Sequence, residues 1–461
     1  MSAERRLAVA LAALSGILAL TIASDAAAQA WLDDRSRTEG PGFRVGDFEL
    51  HPGLGVEIGY DSNLYYSEDD SSRFRDTGIL RATAHLLFST RGSQRRNEGE
   101  SGEGGGVQGG AQALPPIVFR GGLSGSFYTF FNDLDRSNME VDASLALTIL
   151  PGRTFSLSLT EEFGRSVRPF TENTAGMPVG SFSYARIQNT AGAVASFSTN
   201  SEVLKISTGY MLSLDFFEDE LFQYGNRLQH IVTLNETFLF LPQTAIVHDT
   251  TVSISDYLND AAPSPTMVND GVMLRTRVGL NGAFSSSVSA LAMVGYAAGF
   301  FSSSIPATYD QEYESVIAQA ELRWQISQAV RLTLGYDRDF QPSFIGNWYR
   351  RDRGYANFQM LVDGQFLVGV EAGLGYYEFG LIVTPTGDAL GSRLNRGDIR
   401  LDTRLFAEYR FTDWLGLNAT LQYTGNFTDY QYRIDDGTGM LIPDPAQFNK
   451  FQAWFGVRVF Y

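Results

Sequence analysis

The chain of 461 residues contains no cysteine. That excludes a disulfide framework and any thiolate metal or redox centre, while leaving an oxidising compartment open. Beyond residue 30 there is no run of about 18 apolar residues, so no transmembrane helix is available. Histidine is scarce: His51, His85, His230 and His248 are the only four. None stands in a nucleophile motif or at metal-ligand spacing. His230 has no adjacent acid, and His248-Asp249 lies beside a tight turn. No phosphate-binding loop occurs; Gly121-Gly122 and Gly53-x-Gly55 read as strand glycines. These absences leave no catalytic residue, metal or cofactor to expect. The formal net charge of −17 argues against nucleic acid as a partner.

What is present is a leader followed by alternation. Arg5 and Arg6 precede an apolar stretch from Leu7 to Ala23, and Ala28-Gln29-Ala30 forms a small-residue cleavage site, so 1–30 reads as a secretory signal peptide. Its removal takes away two bases and two acids (Glu4 and Asp25) and leaves the net charge unchanged. Residues 31–42 form a short segment, too short for a plug domain or helical repeats. Residues 43–461 alternate apolar and polar side chains in many short stretches.

Period two is the signature of a strand with two unlike faces. Met139 to Ile149 sets Met139, Val141, Ala143, Leu145, Leu147 and Ile149 against Glu140, Asp142, Ser144 and Thr148. Tyr313–Ile326, Ile399–Phe411 and Leu415–Phe427 repeat the pattern. A soluble sandwich alternates too. Here, however, the stretches run to about 11–14 residues against the usual 5–6, and their polar faces are charged. The connections also alternate. Tight turns fall at Pro151-Gly152, Thr199–Glu202, Leu241–Thr244, Ser285–Ser287, Ser327–Ala329, Asp363–Gln365 and Thr412–Trp414. Longer polar loops lie between them at 61–76, 165–183, 215–227, 256–271, 300–313, 338–350, 378–397 and 428–447, with a shorter one at 132–138. This is the plan of an all-β, transmembrane, antiparallel up-and-down β-barrel of the Gram-negative outer membrane, with short periplasmic turns and long external loops. Eighteen strands fit best and 16 is the fallback. One periplasmic connection, 91–116, is long and Gly-rich and reads as disordered. It is either a tolerated insertion or a docking segment.

The polar faces define a candidate channel lining: Glu57, Arg81, Arg120, Glu140, Asp142, Arg186, Arg275, Arg277, Glu321, Arg323, Glu371, Arg400, Asp402, Arg404, Glu408 and Arg410. Both signs are mixed, which suits cross-strand ion pairs that stiffen the wall and equally a hydrated path for a polar solute. Tyr128 and Tyr377 fall on the same faces. The nine external loops carry 24 acids against 11 arginines, so the mouth is acidic and favours cations. Loops 165–183, 378–397 and 428–447 are candidates to fold inward and narrow the pore. Two acids break the pattern: Glu161 and Glu236 fall on otherwise apolar faces, where a β-bulge, a different register or contact with another chain would account for them. Residues 245–256 are ambiguous in face.

The final strand carries Trp454-x-Gly456-x-x-Val459-x-Tyr461, which resembles the terminal signal read by the outer-membrane barrel assembly machinery. The opening Pro52-Gly53-Leu54-Gly55-Val56-Glu57-Ile58-Gly59-Tyr60-Asp61-Ser62-Asn63-Leu64-Tyr65, with its Gly-Tyr-Asp-x-Asn and a barrel-length tail, looks like the β-barrel porin 2 family over about 43–461. That resemblance implies an outer-membrane barrel without catalytic residues, and for some similar proteins an association with capsule or exopolysaccharide export. The expected function is a passive conduit for polysaccharide export. A general or solute-specific diffusion porin for uptake is the first alternative, and a structural or surface-interaction barrel the second. Expected partners are outer-membrane lipid and lipopolysaccharide, the assembly machinery and, under the export reading, periplasmic export components.

Overall fold

The computed structural model describes residues 39–68, 76–90, 115–167, 185–199, 201–258, 268–302, 312–344, 346–384, 388–435 and 441–461. The expected signal peptide 1–30, most of 31–42, nearly all of 91–116 and most of loop 165–183 lie outside the described residues.

The strands in chain order are β1 (Phe43–Val45), β2 (Phe48–Asp61), β3 (Thr77–Thr90), β4 (Ile117–Phe130), β5 (Asp133–Ile149), β6 (Phe155–Ser166), β7 (Arg186–Ser198), β8 (Leu204–Phe217), β9 (Arg227–Leu241), β10 (Thr244–Tyr257), β11 (Gly271–Ala283), β12 (Val288–Phe301), β13 (Tyr313–Ser327), β14 (Val330–Pro342), β15 (Trp348–Val362), β16 (Phe366–Phe379), β17 (Gly397–Thr412), β18 (Leu415–Phe427), β19 (Gln431–Asp435), β20 (Leu441–Pro445) and β21 (Phe448–Phe460). Eighteen of them, β2 to β18 and β21, pair antiparallel with their neighbours, and β21 pairs back onto β2 to close the sheet. β1 is a short hairpin partner of β2, and β19–β20 is a separate hairpin. With strands about 4.8 Å apart and tilted about 40°, such a barrel is about 35 Å across.

Turn chemistry sets the register at the tight end. Asp363 and Gly364 take φ of +50° and +70° between β15 and β16. That is the left-handed pair a two-residue type I′ hairpin needs, and Asp-Gly supplies it cheaply. At the other end the 132–138 loop is absent. β5 begins at Asp133, so only Phe131 and Asn132 separate it from β4.

The two faces of the wall differ as a membrane requires. Outward positions include Leu54, Val56 and Ile58 on β2, Val294 on β12, Leu334 on β14, Val370 and Leu374 on β16 and Val457 on β21, all well exposed. A closed barrel satisfies every ladder hydrogen bond internally, so a wall with such an apolar surface is one that a bilayer solvates. Aromatic girdles bound the belt. Towards the long loops, Tyr60 and Tyr336 donate to Asp76 (3.2 Å) and Asp352 (2.9 Å) just beyond it. Towards the tight turns stand Phe238, Phe240, Trp324, Phe366, Tyr409 and Trp414.

Glu161 and Glu236 do face outward. Pairing runs without a shift through both, Glu161 lying between Leu145 and Ala191, and Glu236 between Ile206 and His248. Neither a bulge nor a different register accounts for them. The doubtful stretch 245–256 resolves with Ile246, His248, Thr250, Val252 and Ile254 outward, opposite Phe238, Glu236, Leu234, Val232 and His230.

Candidate functional site

The register places all sixteen candidate lining residues on the inward face, the face that also carries buried Glu57, Arg81 and Arg458. Most of the arginines among them are paired, several across strands and two, Arg323 and Arg410, with an acid two residues away on their own strand. Arg277 donates to Asp249 (2.9 Å), Arg275 to Asp339 (2.8 Å), Arg323 to Glu321 (2.5 Å), Arg404 to Glu371 (2.7 Å) and Arg410 to Glu408 (2.9 Å). Arg186 stands 4.0 Å from Asp215, which also accepts from Arg227 at 2.8 Å. Arg400 lies 3.5 Å from Asp398 and stacks on Tyr377 at 4.3 Å. Glu140 accepts from the Val167 amide at 3.5 Å. Arg120, Asp142 and Asp402 take the same inward parity on β4, β5 and β17. The wall is thus a lattice of paired charges, the stiffening half of the dual expectation. It is not polar all round. Ile231, Leu291, Met293 and Ile317 line the inside of β9, β12 and β13 and are buried.

The closure between β21 and β2 has nine rungs, against fourteen between β2 and β3. Side chains reinforce it from inside. Glu57 takes Arg81 Nε at 2.7 Å and Asn418 Nδ2 at 2.6 Å, reaching across β21 to do so. That reach exists because Gly456 has no side chain: a Cβ there would lie 2.3 Å from Glu57 Cγ. Trp454 lies over Gly59 in the same way and presents its ring to the Arg81 guanidinium at 4.3 Å. Towards the loop end, Asp61 accepts from Lys450 and Gln452, each at 2.7 Å, and Asn63 donates to the Asn449 carbonyl at 2.8 Å. The Gly-Tyr-Asp-x-Asn opening and the Trp-x-Gly ending therefore meet as the two sides of one clasp. Trp454 and Gly456 face inward; Val459 and Tyr461 do not.

At the loop end the connections fold over the lumen. The β16–β17 connection and the β19–β20 hairpin lie on the inner wall, where Ile382, Tyr430, Tyr432 and Ala446 pack on Tyr349, Tyr377 and Phe379. Arg396 fastens them, holding Asp398 through Nε (2.9 Å) and donating to the Tyr432 hydroxyl (2.6 Å). Burial, with the Tyr432 phenol beside it, pushes the Tyr430 phenol above its ordinary value against the opposing pull of the Arg396 guanidinium. Two of the three expected constriction loops, 378–397 and 428–447, thus fold inward.

The widest contact is one the sequence did not mark. Phe217 ends β8, Phe222 and Tyr224 follow in the 3-10 turn Glu220–Gly225, and Phe344 comes from the β14–β15 connection. Phe344 meets Phe217 edge-on at 5.4 Å and lies under the Arg227 guanidinium at 4.6 Å. Tyr65, from the β2–β3 connection, packs against the same cluster and donates to Asp133 at 2.8 Å. In strand order, β8, β14 and β2 are each six strands apart, so the three contributors stand at thirds of the circumference. On a circular wall of that width such points are about 30 Å apart. The aromatic junction therefore bridges the mouth. No pattern within loops 215–227 or 338–350 announces it, because the signal is a meeting of side chains 127 positions apart in sequence.

These features define a membrane-spanning β-barrel with a paired-charge interior and a bridged mouth. No protein-family description and no curated protein matches the chain, so the likeness to the β-barrel porin 2 family rests on its two end motifs. Solved structures similar in architecture include OccK2 (OpdF) of Pseudomonas aeruginosa, crystallised with glucuronate, at 9% identity over 91% of this chain and 99% of that one, TM-score 0.43. OccAB4 of Acinetobacter baumannii aligns at 10% identity over 89% and 98%, TM-score 0.42. The siderophore receptor PirA of Pseudomonas aeruginosa aligns at 9% over 89% and 80%, TM-score 0.39. At these scores the likeness is of general architecture, and no residue role is carried over.

Proposed function

We propose that the protein is an outer-membrane channel for small polar solutes, with its tight turns in the periplasm and its bridged mouth outside. The observation that carries this reading is the junction of Phe217, Phe222, Tyr224 and Phe344 with Tyr65 over the lumen. A conduit for a polysaccharide needs an unobstructed mouth. A bridged mouth leaves small apertures between loops, which suit solutes. The diffusion-porin reading thus gains over the polysaccharide-export expectation. An acidic rim feeding a lattice of paired charges favours cations mildly. Lipid, lipopolysaccharide and the assembly machinery that would read Trp454, Gly456, Val459 and Tyr461 are the partners this location implies.

Planar-bilayer recording of the purified barrel tests the reading. The wild type is expected to conduct with a small unit conductance and mild cation preference, and Phe217→Ala with Phe344→Ala to raise that conductance severalfold. A silent wild type would favour a structural barrel. An unchanged conductance in the double variant, or passage of polymer through the wild type, would remove the junction from the function.

A further inference from the structure

We propose that the outer wall of β6 to β11 is the contact surface for a second copy of this chain within the membrane. The observation is polarity where a bilayer should be. Between the two aromatic girdles, the described outward positions of the other twelve barrel strands carry no charged or amide side chain, and Thr129 and Thr403 are their hydroxyls besides tyrosine. On β6 to β11 the belt holds three polar networks, the smallest a contact of 2.7 Å between the Tyr210 hydroxyl and His230. Glu161 accepts from Asn189 at 2.5 Å. Three strands on from Glu161, Glu236 on β9 holds His248 at 3.1 Å, and His248 reaches Thr250 (3.1 Å) and Thr276 (3.2 Å).

These networks are incomplete shelters. The Glu236 and His248 side chains keep 42% and 31% exposure, facing what would be hydrocarbon. Hydrocarbon offers no hydrogen bonds, so exposed polar groups there cost free energy unless another protein surface supplies partners. Each network contains both acceptors and donors, so a copy of the same surface complements it. All copies of one barrel insert in the same sense, and rotation about the membrane normal brings equal depths together. Ala191, Ala193 and Ala195 lie outward on β7 between the networks and permit close approach. The size also fits. Six strands at about 4.8 Å and a belt about 25 Å tall give about 700 Å² per copy, near the roughly 800 Å² of a stable interface.

The absence of native cysteine makes the test clean. Single cysteines replace Ala193, Thr208 or Leu234 within the surface, and Val370 on the opposite wall. The membranes are oxidised, and heat-modifiable migration confirms that each barrel is folded. Disulfide-linked pairs of this chain are expected from the first group and not from Val370→Cys. Glu236→Leu combined with His248→Leu should abolish the pair while leaving a folded barrel. The proposal is overturned by absence of any pair from all three folded variants, by equal yield at Val370→Cys, or by cross-linking to a protein of another mass. Retention of the pair in the Glu236→Leu/His248→Leu background would equally remove the polar networks as its cause.

Discussion

The seam and the β6–β11 wall distribute the same side-chain types oppositely. At the seam the charges point in and are almost wholly buried: Glu57, Arg81, Glu408 and Arg458 are each 1–2% exposed. Outside, β21 and β2 present Val457, Val459, Leu54, Val56 and Ile58. On β6 to β8 the inner face leans on hydroxyl pairs instead, Thr190 with Ser213 at 2.9 Å and Ser196 with Ser207 at 2.8 Å. On β6 to β10 carboxylates and histidines appear on the outer face, Glu161 on β6, His230 and Glu236 on β9 and His248 on β10. A short closure ladder gains stability from inside, where buried partners are fixed. A wall that meets another protein places its polarity outside, where the partners arrive with assembly.

The sharpest way to break this contrast is to remove one carboxylate from each side. Glu57→Ala leaves the Arg81 guanidinium buried without its carboxylate, and breaking such a pair costs about 3–5 kcal/mol. Urea unfolding of the barrel in micelles should show that loss in midpoint at unchanged slope. Glu236→Ala removes an acid from the outer belt and should leave the micelle-bound single barrel within about 0.5 kcal/mol of wild type. Equal costs at the two sites would end the distinction between a clasp and a contact surface.

A gentler version adds volume. Gly456→Val places a Cβ 2.3 Å from Glu57 Cγ and so displaces the side chain that joins β2, β21 and β18. Overpacking of this kind costs about 1–3 kcal/mol. Ala193→Val adds comparable volume on the outward face of β7 and should change single-barrel stability by less than about 0.5 kcal/mol. The same unfolding measurement reads both, and a Gly456→Val protein as stable as wild type would show that Glu57 has another path to Asn418.

The contrast also marks how far the sequence reaches. Alternation is local, so strand count, register and the inward parity of residues such as Glu57, Arg277 and Arg404 could be read directly. Leu415–Phe427 agrees end to end with β18. The misplaced polarity of Glu161 and Glu236 was visible for the same reason. What could not be read depends on closure. Glu57 meets Asn418 only because the barrel joins residues 361 positions apart. Phe217 meets Phe344 only because two loops cross the same opening. Nor does period two reveal that Ile231, Leu291 and Met293 are an apolar strip on the inner wall, since a reading that assigns apolar residues outward overlooks them. Asp133 to Asn138 read as loop because of their charges, yet pairing with β4 beyond the belt suffices to keep them extended.

The smallest expected effect lies at the loop-end rim of the β6–β8 wall. There Arg165 holds Glu218 with two bonds, Nε to Oε1 at 2.6 Å and Nη2 to Oε2 at 2.8 Å. The hydrogen bonds from Arg165 hold the Glu218 carboxyl below its ordinary range against a modest opposing effect of burial. Because the folded value is depressed, the tie contributes fully above the unfolded value near about 4.3 and is lost as pH falls through the lower folded one. Both side chains are partly exposed, so water and salt screen the pair and its worth stays under about 1 kcal/mol. Glu218→Gln should therefore lower the unfolding midpoint slightly at pH 7 and at pH 5, and converge on wild type as pH drops below about 4. A difference that persists unchanged at pH 3, or that grows on acidification, would mean that the rim is held by something other than this ionised pair. In that case the outer polarity of this wall would have to be traced without an anchored loop end.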